Sequence, residues 1–147
     1  MFNDNAGGGG EHAAELNILA RARPERLKAL AETVLDGMDA ITVVTNRTGL
    51  VMVPMRDTVE NVDFHLGEVL VSEAEIADAA GTIGYGMVTG RDLERAMAMA
   101  VIDLRLAGAG HDDAIAAFLL SEGAFLAAQD EQRMRQVEAT RVEMETF

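Results

Sequence analysis

The sequence contains no cysteine and no tryptophan, and only two prolines and one tyrosine among its 147 residues. Without cysteine, the chain by itself supplies no thiol nucleophile, no cysteine-ligated zinc and no iron–sulfur cluster. Scarce proline together with a hydrophobic content of 49% indicates a folded domain rather than a disordered tail. At this length we expect one domain that needs no disulfide or metal to be stable.

Positive charge is also scarce, because 12 lysines and arginines face 25 aspartates and glutamates, for a formal net charge of −13. Such a charge repels phosphate backbones, so we predict no nucleic-acid partner. No apolar run approaches the roughly 20 residues that cross a bilayer, and the first ten residues lack the features of a signal peptide. We therefore predict no membrane partner and expect a cytoplasmic protein. Four consecutive glycines predict a flexible segment over residues 1–10.

Hydrophobic spacing predicts helices at both ends of the chain. Two short helices are predicted over residues 11–36, with Pro24 in the first turn of the second and Gly37 after its end. In the second half, Thr89 and Asp92 have capping-box spacing. Three further helical segments are predicted there: from Thr89 to near Gly110, from Asp112 or Asp113 to Gly123, and over residues 124–147.

The middle of the chain predicts four strands. Residues 41–45 and 50–55 flank turn-like residues 46–49, so the first two strands form a predicted hairpin, and Pro54 places the second at a sheet edge or at its own end. The remaining strands are predicted at residues 64–71, with a bulge at Gly67, and at the glycine-rich residues 81–88. No helix separates them, so pairing is antiparallel. The predicted fold is α+β: an antiparallel sheet of about four strands flanked by an N-terminal helix pair and C-terminal helices.

The glycines Gly84, Gly86 and Gly90 superficially resemble a phosphate-binding loop. Arg91-Asp92 stands where a P-loop carries Lys-Ser/Thr, and the dinucleotide motif requires a parallel βαβ unit. The turn at residues 89–92 still offers backbone N–H groups and one guanidinium to an anion. The alternative, and the commoner case, is a tight turn in which an Arg–Asp pair fixes the start of the helix. No catalytic residue is assigned; the candidate anion or substrate contacts are Gly90, Arg91, Asp92 and Tyr85.

The histidines give weak signals. His65 and Glu68 have the spacing of a metal pair on a helix, but in a strand an offset of three puts them on opposite faces unless Gly67 bulges. His12 lies beside acidic residues on a helix and His111 lies in a loop, both typical of solvated or capping residues. We therefore predict no metal site.

Acidic residues are concentrated in residues 57–78, which contain seven of them and no lysine or arginine. A solvated sheet face is the commoner meaning, and electrostatic docking onto a basic partner is the functional alternative. Asp103 follows the apolar residues 96–102 and, if buried, needs a partner such as Arg91, Arg95 or Tyr85. Exposed methionines on the terminal segments suit a partner surface, and residues 124–147 form the candidate partner-binding segment. The candidate structural or interface residues are Glu68, Asp103 and Arg141.

Several short segments carry a family resemblance through their order and spacing. They are Thr48-Gly49-Leu50-Val51, Gly67-Glu68-Val69-Leu70-Val71, Gly81-Thr82-Ile83-Gly84-Tyr85, Gly90-Arg91-Asp92, Ala100-Val101-Ile102-Asp103 and Ala139-Thr140-Arg141-Val142-Glu143. Together they resemble the PhnG family of the bacterial carbon–phosphorus lyase system, from about Arg21 onward, within one domain over residues 11–147. The chain departs from the family at Met144-Glu145, where an aromatic pair is usual.

The resemblance implies a non-autonomous subunit of the carbon–phosphorus lyase core complex, with PhnI, PhnH and PhnJ as partners and PhnL also needed for activity. It implies that the complex displaces adenine from MgATP by an alkylphosphonate to give α-D-ribose 1-alkylphosphonate 5-triphosphate. This transferase subunit would not be active alone and would bind no cofactor by itself, since the complex uses the MgATP. PhnJ then cleaves the carbon–phosphorus bond by iron–sulfur radical chemistry, in agreement with the absence of cysteine here.

Two alternatives of other classes stay open. One is a purely structural subunit that serves assembly of the complex and has no catalytic residue. The other is a free-standing acidic binding module unrelated to phosphonates. The free-standing module requires a stable, functional oligomer without partners, and a homodimer is the candidate oligomer of the isolated chain.

Overall fold

A computed structural model of the protein describes residues 6–141, with side chains from Gly9 onward. The described residues form a three-stranded antiparallel sheet in the order β1-β2-β3, with two helices before it and two after it. The predicted α+β class is therefore confirmed, with one strand fewer than expected. The elements are α1 (Ala6–Arg21), α2 (Pro24–Asp36), β1 (Thr42–Arg56), β2 (Asp63–Ala77), β3 (Ile83–Thr89), α3 (Leu93–Ala109) and α4 (Asp113–Ala139).

The predicted turn at residues 46–49 is wrong, because strand β1 runs straight through it. Asn46 pairs with Ala74 and Gly49 pairs with Val71 in the ladder to β2. The chain reverses instead at residues 57–62, where Asp57 N donates to Val62 O at 2.9 Å. The Asp57 carboxylate also accepts the backbone N–H groups of the next turn, so its side chain satisfies donors that the ladder leaves unpaired.

Irregular pairing bends the long hairpin at two places. Val53 pairs with Gly67 and Pro54 pairs with His65, which leaves Leu66 as an extra, unpaired residue. This bulge lies one residue from the position predicted, at Gly67. Pro54 lies near the end of an edge strand, as predicted from its missing N–H.

The helix boundaries follow local capping chemistry. Pro24 is in the first turn of α2 and Gly37 follows its end, both as predicted. The carboxylate of Asp112 accepts from Ile115 N at 2.8 Å and caps α4, also as predicted. Thr89 belongs to β3, so the predicted helix start there is wrong.

Two glycine-based expectations differ from the structure. Helix α1 begins at Ala6, so Gly7–Gly10 lie in its first turns rather than ahead of it. Helix α4 continues through Gly123, where a break was predicted. A Cβ at residue 123 would lie 3.4 Å from Ile18 Cδ1, so this glycine brings α4 close to α1 instead of ending the helix. Residues 142–147, part of the predicted partner-binding segment, lie outside the described residues.

The core lies between the sheet and the helices, with α3 at its centre. The buried face of β3 carries Gly84, Gly86 and Val88, and a Cβ at Gly84 would stand 2.5 Å from Leu104 Cβ on α3. The predicted close backbone approach at this strand is confirmed. Helix α2 packs on the other side of α3 and buries Leu27 and Ala31. No helix in the described part of the chain has the length and apolarity needed to cross a bilayer.

Candidate functional site

The turn between β3 and α3 is held in place by one buried hydroxyl. Ser72 Oγ on β2 donates to Gly90 O at 2.8 Å and accepts from Asp92 N at 2.9 Å, and its side chain is fully buried. Gly90 N donates to Leu70 O at 2.8 Å, and the φ of +91° at this residue requires glycine. The predicted turn is therefore a closed structure whose polar backbone groups are largely satisfied within the chain.

The positive end of α3 already holds a carboxylate. Asp92 accepts from Arg95 N at 3.0 Å, and this hydrogen bond lowers the pKa of Asp92 below its ordinary value. Among the described residues, Lys28 rather than Arg91 is the ion-pair partner of Asp92, with Nζ 3.4 Å from Oδ1. Arg91 is exposed at this turn. The pairing of Arg91 with Asp92 that the alternative interpretation expected is therefore replaced by a lysine from α2.

Tyr85 lies away from the turn. It stands four residues before Thr89 on β3, about 13 Å by the rise of a strand. Burial raises the pKa of the Tyr85 phenol, and the neighbouring carboxylate of Glu73 adds to the shift. The structure thus brings Gly90, Arg91 and Asp92 together and separates Tyr85 from them.

Asp103 is buried on α3 and is partnered by Tyr85, one of the three residues predicted for it. The partner is the backbone: Tyr85 N donates to Asp103 Oδ2 at 2.8 Å. The other carboxylate oxygen of Asp103 lies 3.4 Å from His12 Nε2, but this contact does not have hydrogen-bond geometry. Burial raises the pKa of Asp103. The guanidinium of Arg95 instead donates to Ala20 O at 2.6 Å, at the end of α1.

Two histidines extend this polar cluster toward the surface. His12 Nδ1 lies 3.9 Å from Glu15 Oε2, and His111 Nε2 contacts the other oxygen of Glu15. The side chains alternate between imidazole and carboxylate instead of converging on one point. Within residues 6–141 no group of three or more histidines and acids is placed to hold a metal ion.

A buried ion-pair cluster that the sequence did not reveal joins the start of α2 to α4. Glu122 is fully buried, and its Oε1 lies 2.6 Å from Arg23 Nη2 and 2.5 Å from Arg26 Nη1. Arg23 N also donates to the same carboxylate at 3.1 Å, and the guanidinium of Arg23 covers the ring of Phe125. Hydrogen bonds from Arg23 lower the pKa of Glu122. The signal for this cluster in the sequence was a charged residue, Glu122, inside the apolar stretch of α4.

The outer half of the β1–β2 hairpin extends beyond the rest of the sheet. Strand β3 pairs only with Val71–Ala77 of β2, so the hairpin is two-stranded beyond the Gly49–Val71 pair; we call residues 49–71 the distal arm. Many of its large apolar side chains are exposed, although such side chains are normally buried. They are Leu50, Val51, Met52, Met55, Val59, Val62, Phe64 and Leu66.

Both faces of the distal arm carry apolar side chains. Residues that pair directly across an antiparallel ladder share a face. One face carries the pairs Val51–Val69, Val53–Gly67 and Met55–Phe64, and the other carries Leu50–Leu70 and Met52–Glu68. Glu68, a predicted interface residue, is therefore exposed in the middle of the second face.

Internal partners reduce the charge of the acidic segment at residues 57–78. Glu73 pairs with Arg47 at 3.3 Å and Asp63 pairs with Arg56 at 2.8 Å. Asp57 and Asp78 accept backbone N–H groups in turns, which fixes their side chains but leaves their negative charge in place. The segment is thus only in part a source of charge for docking.

Arg141 is the last described residue, and its Nη1 lies 3.4 Å from Glu138 Oε1. Both side chains are exposed, as are Met134 and Val137 on the same end of α4. The structure places Arg141 far along the chain from the turn at Gly90 and shows no contact between them among the described residues.

Comparison with known proteins identifies relatives along nearly the whole chain. Residues 11–147 match the family model described as phosphonate metabolism protein PhnG. The α-D-ribose 1-methylphosphonate 5-triphosphate synthase subunit PhnG of Rhizobium meliloti (strain 1021) is 31% identical over 132 residues, which span 90% of this chain and 85% of that protein.

Proposed function

This chain belongs to the PhnG family and acts as a subunit in phosphonate metabolism, and we propose that its complex displaces adenine from MgATP by an alkylphosphonate. The product would be the α-D-ribose 1-alkylphosphonate 5-triphosphate. PhnI, PhnH and PhnJ are the proposed partners, PhnL is also needed for activity, and the reaction takes place in the cytoplasm. The chain is not active alone in this proposal.

The main observation in favour of a non-autonomous role is the exposed apolar surface of the distal arm. Its exposed apolar side chains on both faces are uncovered by the described residues of this chain, and a partner would remove them from water. A triphosphate and a phosphonate need clustered positive charge and magnesium ligands. The net charge of −13 and the carboxylate at the start of α3 argue against such a site here. We infer that a partner supplies the main nucleotide site.

Arg91 is the residue we propose for direct contact with an anionic substrate at that partner's site. It is exposed beside Gly90 on a turn that Ser72 holds rigid. The alternative is a purely structural subunit, and it is favoured by the internal hydrogen bonds that already occupy Gly90 N and Asp92 N. The two differ in what a change at Arg91 does to an assembled complex.

The test of the proposed function is adenine release from MgATP and methylphosphonate by the partner subunits, with and without this chain. We expect coupling of adenine loss to the phosphonate only when the chain is present. If the chain neither binds the partners nor changes their products, the proposed function is wrong.

A second measurement addresses the role of Arg91. Arg91→Ala is expected to leave assembly intact and to lower the rate of adenine release at least tenfold. Arg47→Ala is the matched control, since Arg47 is an exposed arginine that pairs with Glu73 within this chain. An unchanged rate for Arg91→Ala in an assembled complex would support the purely structural subunit instead.

A further inference from the structure

We propose that the distal arm, residues 49–71, inserts into an apolar groove of the partner subunit that binds the anionic substrates, and that basic side chains in this groove face Glu60 and Glu68. The proposal rests on the proposed function, because it takes for granted that such a partner exists. It adds the surface that makes the contact and the chemistry of the surface that receives it.

Insertion follows from the two-sided character of the arm. Leu50 is 62% exposed and Met52 is 61% exposed on one face, while Met55 is 45% exposed and Phe64 is 43% exposed on the other. A partner that covered one face alone would leave the other face in water. Burial of apolar area stabilises a complex by roughly 25 cal/mol per Å², so a groove that encloses both faces gains the most.

The charges of the arm specify where the groove carries basic side chains. Arg56 pairs with Asp63, and Asp57 accepts N–H groups of its own turn. Glu60 and Glu68 are exposed and, with Asp57, carry the negative charge of the arm that is not ion-paired. Glu60 lies in the turn at the tip of the arm and Glu68 lies in the middle of one face, so they match basic side chains at two places within an otherwise apolar groove, which speeds association and selects the partner.

The anion-binding partner fits this requirement. A subunit that holds triphosphate and phosphonate groups presents clustered lysines, arginines or metal ions, which are opposite in charge to this chain. A second copy of this chain fits poorly, because each copy has a formal net charge of −13 and would bring Glu60 and Glu68 together with like charges. The occupant of the arm is therefore a different protein of basic character.

Gly67 marks the place of closest approach. It lies opposite Val53 in the ladder, and a Cβ on Gly67 would meet no atom of this chain within 4 Å. Its backbone does not need the left-handed conformation that favours glycine. Apart from the neighbouring bulge at Leu66, the chain gives no steric reason for glycine here, and the backbone of an inserted arm can contact the groove wall directly.

The test compares three variants of the full chain in capture of the reconstituted partner subunits. Val51→Lys places a charge on the more apolar face, and Gly67→Val adds bulk where this chain has open space. Leu120→Lys is the matched control, because Leu120 is 78% exposed on α4. We expect the dissociation constant to rise at least tenfold for both arm variants and less than twofold for the control, with unchanged urea midpoints for all three.

The outcomes separate this proposal from the proposed function. If both arm variants bind the partners and support adenine release like the unaltered chain, the arm proposal is overturned and the proposed function stands. If Val51→Lys instead dissolves a dimer of this chain and leaves partner capture unchanged, the occupant is a second copy and the proposal is also overturned. Glu68→Lys is expected to slow association at low salt at least threefold; unchanged or faster association would contradict basic side chains opposite Glu68.

Discussion

The backbone of Gly86 on β3 lies directly against the carbonyl oxygen of Ala96 on α3. A Cβ at residue 86 would stand closer to that oxygen than the 3.0 Å below which real contacts do not occur. The sheet and the central helix therefore meet backbone to backbone at this point, without side chains between them.

Gly86→Ala is expected to destabilise the fold by about 2 kcal/mol or more, because the added methyl group forces β3 and α3 apart. Urea denaturation measures the change in the free energy of unfolding. Gly67→Ala is the control: it meets open space in a strand and should change that free energy by less than about 1 kcal/mol, in the stabilising direction. Equal destabilisation by both variants would contradict the close approach.

Glu122→Gln is expected to lower the free energy of unfolding by about 3 kcal/mol, because the change leaves two arginines without their shared carboxylate. Chemical denaturation at pH 7 checks the value. Glu131→Gln serves as the control, since Glu131 is exposed and pairs with Arg135 on one helix, and it should cost less than about 0.5 kcal/mol. A small effect at Glu122 would mean that the cluster does not join α2 to α4.

The stabilisation from Glu122 should also depend on pH. Its pKa in the folded state is lowered by hydrogen bonds from Arg23, relative to an ordinary value of 4.5. Stability from this carboxylate is therefore present above that ordinary value and is lost as the pH falls through the lowered pKa. We expect the difference in stability between the unaltered chain and Glu122→Gln to shrink in this acidic range. If this difference in stability grew as the pH falls, the predicted lowering of the Glu122 pKa would be wrong.

Asp103 should show the opposite dependence, because burial raises its pKa above the ordinary value of 3.8. The folded state favours the protonated carboxyl, so its contribution is greatest below 3.8 and declines as the pH rises through the raised pKa. Asp103→Asn removes this titration. Urea denaturation from pH 3.5 to 7 should show the unaltered chain losing stability relative to Asp103→Asn as the pH rises; a relative gain would contradict the assignment.

Ser72→Ala is expected to lower the free energy of unfolding by about 1–3 kcal/mol, because it leaves Gly90 O and Asp92 N without their buried partner. Thermal or urea denaturation measures the loss. Ser121→Ala is the matched control, since Ser121 is exposed and only accepts a hydrogen bond from Arg26. If the two variants behave alike, the hydroxyl of Ser72 does not fix the turn.

Features that depend on neighbouring residues were predictable from the sequence. Asp112 caps a helix three residues before its hydrogen-bond donor, and Pro24 and Gly37 bracket α2 by backbone geometry alone. The turn at residues 46–49 was not predictable, because pairing with β2, more than twenty residues away, overrides the local turn preference. Gly123 was misjudged for a similar reason: contact with Ile18, far along the chain, decides its role.

The candidate site, too, was predictable from the sequence only in part. The position of Asp103 after an apolar run predicted that it needs a hydrogen-bond partner, and Tyr85 is that partner. The partners of Glu122 lie 96 and 99 residues away in the sequence, a separation that no local pattern spans. The distal arm was hidden because apolar strands are buried in most proteins. Arg91 and Gly90 remain predictions as substrate contacts.

The exposed edge of β1 affects how much of this protein can accumulate in a cell. Within residues 6–141 no strand pairs with the outer edge of β1, and a long apolar strand with such an edge is a template for joining other chains. Any molecule made in excess of its partners would therefore be prone to aggregation and to removal by proteases. We expect balanced synthesis of the subunits to set the amount of this one that persists, so overproduction without partners should give insoluble protein.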